Sequence, residues 1–100
     1  MTTISRDRIY FEYLGDEVAD GNEQSHRDQA AREWAGAASA YLERNGGGKA
    51  TVGYGRDLNR FSVTGDKATA EAADDAGHAA ARAYVNAQIA EIEKATRELA

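Results

Sequence analysis

The longest hydrophobic pattern in the chain runs from Asp66 to Leu99, a stretch with no proline and one glycine, Gly77. Ala70, Ala81, Val85, Ile89, Ile92 and Leu99 fall on one stripe of a 3.6-residue helix. At about 1.5 Å per residue such a helix is roughly 50 Å long. A domain of about 100 residues has a radius of gyration near 13 Å. The helix therefore either breaks near Gly77 or projects beyond its own domain.

Shorter patterns precede it. Ile9, Phe11 and Tyr13 alternate with Arg8, Tyr10 and Glu12, which predicts a strand over Arg8 to Leu14. Gly15 to Asn22 has loop composition. A helix starts near Asn22 or Ser25 and buries Ala30, Trp34, Ala37, Ala38, Tyr41 and Leu42. Arg44 and the run Asn45-Gly46-Gly47-Gly48 stop it. Lys49 to Thr64 reads as a β-hairpin turning at Arg56 to Arg60, and Thr64-Gly65-Asp66 caps the last helix. The predicted fold is α+β in the order β-α-β-β-α. Two helices, the C-terminal one long, pack on one face of a small antiparallel sheet.

Composition sharpens this picture. One hundred residues make one domain, 1–100. Much of the apolar content is alanine, which buries little area, so the backbones must come close together and a second copy would supplement a thin core. With no cysteine, disulfides, thiolate catalysis and cysteine metal sites are excluded. The polar N-terminus has no signal-peptide core and no stretch reaches membrane-spanning length, so the expected location is cytoplasmic, with no membrane partner.

The net charge of −5 argues against indiscriminate nucleic-acid binding, and its distribution is uneven. Glu12, Asp16, Glu17, Asp20, Glu23 and Asp28 face only Arg27. Arg44, Lys49, Arg56, Arg60 and Lys67 outnumber Glu43, Asp57 and Asp66 in the middle of the chain. Clustered carboxylates at Glu12, Asp16, Glu17, Asp20 and Glu23 can imitate phosphates and compete for a basic site on a partner. The alternative surface is a basic hairpin of Lys49, Tyr54, Arg56 and Arg60, because an arginine-bearing β-ribbon can contact nucleic acid. Tyr10 and Tyr54 could share an interface patch. His26 and His78 are too few for a metal site or a Ser-His-Asp array, and no metal or other cofactor is expected.

Thr51, Gly53, Tyr54, Gly55 and Leu58 form a stretch that resembles the T-x-G-Y-G-x-x-L segment of phage-type lysozymes. That resemblance covers about eight residues, and it implies two carboxylates facing one cleft. Here Glu43 stands at a helix end before a glycine run, with no second carboxylate in the matching place, so muramidase activity is not expected.

In size, charge and α+β plan the chain resembles the small inhibitor proteins encoded by bacteriophages, including the anti-CRISPR group. The resemblance implies a non-enzymatic, stoichiometric inhibitor acting in the host cytoplasm. Its partner would be a host protein or nucleoprotein effector, held by DNA mimicry or locked in one conformation, without direct binding of nucleic acid. One alternative is a nucleic-acid-binding or regulatory module that uses the basic hairpin. Another is a structural or assembly protein that forms a homodimer through Val85, Ile89, Ile92 and Leu99 of the C-terminal helix.

Overall fold

Apolar residues spaced three and four apart, rather than alternating, organise the first third of the chain. In the computed structural model, which describes residues 1–6, 8–52 and 61–99, Arg8–Asp16 is a helix, α1. The strand predicted there is corrected. Phe11 and Leu14 are buried on one side of α1, with Val18 just beyond it, while Tyr13 is 73% exposed. Phe11 and Tyr13 therefore do not share a face, and the side chain of Ile9 lies outside the described residues. The first strand is instead Thr2–Arg6, β1. Its single aliphatic residue, Ile4, packs on the core, too little apolar content to reveal alternation in the sequence.

Helix α2 spans Glu23–Asn45, with Asn22 at its N-cap. Gly46 ends it at φ 73°, a left-handed geometry that glycine adopts without strain, and donates its N–H to Leu42 O at 2.6 Å. Strands β2 (Gly48–Val52) and β3 (Phe61–Gly65) follow, and α3 runs from Lys67 to Leu99. The observed order is thus β-α-α-β-β-α, a mixed α+β fold with a long C-terminal helix. The hairpin pairing is as expected: β2 and β3 are antiparallel with Lys49 opposite Thr64 and Thr51 opposite Ser62. Its predicted turn, with Tyr54, Arg56 and Arg60, lies outside the described residues.

The sheet order is β1-β3-β2, antiparallel throughout. Phe61 and Val63 are buried on its inner face against the helices. The outer face carries hydroxyl pairs across the strands, Thr3 to Thr64 at 2.9 Å and Thr51 to Ser62 at 2.8 Å. α2 and α3 run antiparallel, because His26 meets Tyr84 while Trp34 meets Asp74.

Trp34 is the centre of the core and is fully buried. Gly77 explains how it fits: a Cβ there would lie 2.6 Å from the indole Cδ1 and 2.7 Å from Nε1. Gly77 is a seat for the ring and does not break α3, which is continuous over 33 residues. The projecting alternative is the observed one, and the molecule measures 53 × 28 × 15 Å. No described helix is long and apolar enough to cross a membrane.

Candidate functional site

The acidic run turns the corner between α1 and α2. Val18 plugs the corner, fully buried, and its N–H donates to Gly15 O at 3.1 Å. Asn22 N–H donates to Asp20 Oδ1 at 2.8 Å, an Asx-type turn that leads into α2. The surrounding carboxylates are placed by these bonds and by cations from α2 and α3.

Asp16 ends α1 and accepts from Arg27, whose Nε stands 2.9 Å away. That hydrogen bond, with the charges of Asp16, Glu12 and Glu23 around it, holds the Arg27 guanidinium above its ordinary pKa. Asp16 bonds that arginine directly, and the charges of Glu12 and Glu23 also favour it. Glu17 pairs with Arg82 of α3 through both guanidinium Nη atoms. Glu23 opens α2 and accepts from Gly21 N–H at 3.4 Å.

Asp20 is tied to a buried histidine. A carboxylate can only accept, so His26 donates from Nε2 to Asp20 Oδ2 at 2.9 Å. The opposite nitrogen, Nδ1, is hydrogen-bonded to the Tyr84 hydroxyl at 3.1 Å. The His26 bond, reinforced by Asn22 N–H, holds Asp20 below the usual carboxylate range. Burial pushes the Tyr84 hydroxyl up, so it stays protonated at neutral pH. This trio straps the loop to α2 and α3, and its hydroxyl is committed to His26.

A second polar cluster lies under β1. Asp74 is 3% exposed and accepts from Arg6 Nε at 3.1 Å and Nη2 at 2.5 Å, and from Trp34 Nε1 at 3.2 Å. The Asp74 hydrogen bond raises Arg6 above its ordinary pKa. The same guanidinium lies 5.1 Å from the centre of the Tyr10 ring, and the Tyr10 hydroxyl meets His78 Nδ1. Among the described residues no buried side-chain polar atom lacks a partner, and no three metal-ligating side chains converge.

The five acidic positions are brought together at one corner, with Asp16 and Glu17 paired to arginines and Asp20 to His26. Of the basic hairpin, Lys49 is exposed on β2, whereas Tyr54, Arg56 and Arg60 lie outside the described residues, as does the Gly53–Leu58 part of the lysozyme-like stretch. Glu43 borders a shallow cleft with Ser39, Leu42, Gly48, Lys49 and Ala50, and is its one carboxylate among the described residues. Of the predicted dimer seam, Val85 is fully buried in the chain's own core, which removes it from any interface. Ile89 and Ile92 pack partly on that core, and Leu99 is 89% exposed.

The sequence reading missed the partners that organise these sites. Arg6, the partner of Asp74, is 68 positions away from it in the chain. Tyr84 lies 58 positions from His26, and no local signal joins them. Comparison with protein-family models, with curated proteins and with solved structures finds no match.

Proposed function

We propose that this protein is a non-enzymatic, stoichiometric inhibitor that occupies a basic, nucleic-acid-binding site on a nucleoprotein effector, in the manner of the phage inhibitors whose format it resembles. One observation carries this reading. The α1–α2 corner gathers Glu12, Asp16, Glu17, Asp20 and Glu23, of which Asp16 and Glu17 pair with Arg27 and Arg82. Among the described residues these acids outnumber the arginines that pair with them. The pairs fix the carboxylates in place, so less conformational freedom is lost on binding than for a mobile acidic loop. A fixed array of carboxylates opposite a phosphate-binding surface also speeds encounter and supplies specificity.

The test starts with immobilised protein and a cell lysate, with competing duplex DNA in the elution. The proposal expects a nucleic-acid-binding assembly to be retained and then displaced by the DNA. Glu12→Gln with Glu23→Gln keeps side-chain size and leaves the Asp16, Glu17 and Asp20 straps intact. That variant should lose affinity by roughly tenfold, about 1.4 kcal/mol. Retention of DNA by the protein itself, or unchanged affinity in the double variant, contradicts the proposal.

A further inference from the structure

β1 brings little apolar surface to the fold. It is an edge strand, antiparallel to β3, with Ile4 opposite Val63 and Arg6 opposite Phe61. No residue of β1 is fully buried, and Thr3 and Ser5 are exposed. Ile4 alone packs on the core. The buried apolar side chains come from α1, α2, β3, α3 and Val18, so the departure of β1 leaves the centre of the core filled. Elements with so few buried apolar contacts open separately from the rest of a domain.

The last residue of β1 is different, because Arg6 enters a pocket that matches a guanidinium. Asp74 is 3% exposed and meets it side-on, Oδ1 accepting from Nε at 3.1 Å and Oδ2 from Nη2 at 2.5 Å. Two parallel bonds to two carboxylate oxygens are a geometry that arginine makes and lysine does not. Trp34 Nε1 donates to Oδ1 at 3.2 Å and fixes the carboxylate in place. The Tyr10 ring, packed edge-on against Phe11, lies 5.1 Å from the guanidinium carbon. Among the described residues Arg6 is the cation that pairs with Asp74, and its side chain is 36% exposed. Water therefore takes its place when β1 leaves.

We propose that the slot along β3, ending at Asp74, is a peptide-binding site. It takes an extended segment that carries an arginine and, two positions before it, an aliphatic residue. The chain's own β1 fills the slot as a tethered ligand. With an arginine in place the buried carboxylate is paired. Without one it is a buried charge with no cation, which drives the slot to open towards water. A competing segment with the same two side chains forms the same ladder with β3 in place of β1. The site does not depend on the inhibitory reading.

Hydrogen exchange of the full chain tests the lock. Arg6→Met keeps a long stem and removes the charge. Amides of β1 should then exchange at least about tenfold faster, because a buried charge has lost its partner, while amides at the centres of α2 and α3 keep their protection. Adding Asp74→Asn removes the unpaired charge and should restore most of the β1 protection. Uniform acceleration in every element, unchanged β1 amides, or no restoration in the double variant overturns the proposal. A fluorescent peptide of residues 1–6, amidated at its C-terminus, tests the slot by anisotropy up to about 1 mM protein. It should bind the Arg6→Met chain at least about tenfold more tightly than wild type, where tethered β1 competes. Arg6→Lys in the peptide should weaken that binding about tenfold. No binding, equal binding to both chains, or indifference to the lysine overturns it.

Discussion

Trp34 is held from two sides, by the missing Cβ of Gly77 and by the carboxylate of Asp74. The first contact makes a specific forecast. In an exposed helix, Gly→Ala adds about 1 kcal/mol of stability. Gly77→Ala should instead destabilise by about 1–3 kcal/mol, because the methyl drives into a fully buried indole. A urea titration of the two chains measures this, and a stabilised variant would contradict the packing. Trp34→Ala should cost more, about 3–5 kcal/mol, by emptying the centre of the core.

Protonation makes a second forecast at this scale. Asp20 is held below the ordinary carboxylate range by His26, so the folded state favours its charged form. Its contribution is in full above the ordinary Asp value of about 3.9 and is lost as pH falls through the lowered one. Wild type and Asp20→Asn should therefore differ in stability near neutrality and converge in acid. A gap that stays constant with pH would show that the carboxylate charge contributes nothing.

The burial of Trp34 was legible in the sequence, from its place in the Ala30, Trp34, Ala38 stripe. The role of Gly77 was not, because a lone glycine in a helical pattern signals a break as readily as a close approach.

At the scale of elements, the two long helices and the hairpin pairing could be read because each is carried by many residues of one period. α1 could not. In nine residues, Phe11 and Tyr13 fit an alternating pattern as well as Phe11, Leu14 and Val18 fit a helical one. Only burial separates the two readings. β1 was hidden because its outward positions, Thr3 and Ser5, have the composition of a polar terminus.

The projecting end of α3 is the element most open to manipulation. Residues 93–99 are exposed, so ending the chain after Ile92 removes no core side chain. The shortened protein should melt within a few degrees of the full chain, since a loss of about 1 kcal/mol moves the midpoint by roughly 4–8 °C in a domain of this size. Loss of cooperative melting would place the tip in the core.

The molecule as a whole is a thin, elongated wedge in which ion pairs fasten the acidic corner to α2 and α3. The clustering of acids was plain in the sequence. That Arg27, His26 and Arg82 engage three of them was not, because Arg82 is 65 positions from Glu17. This arrangement also bears on which residues should be changed. Charge reversal at Asp16, Glu17 or Asp20 would disturb folding and binding together, because Arg27, Arg82 and His26 hold them.

The central claim, inhibition by occupying a nucleic-acid site, is tested most directly by titration. Increasing amounts of the protein are added to a fixed amount of the captured effector, and the nucleic acid that the effector still holds is measured. Release should stop at a fixed whole-number ratio of protein to effector. Raising salt from about 50 mM to about 200 mM should weaken inhibition, as expected of a contact between a carboxylate array and a basic site. Release that continues at sub-stoichiometric protein would mean catalytic turnover, and nucleic acid that stays bound at saturation would mean a different surface; either contradicts the account.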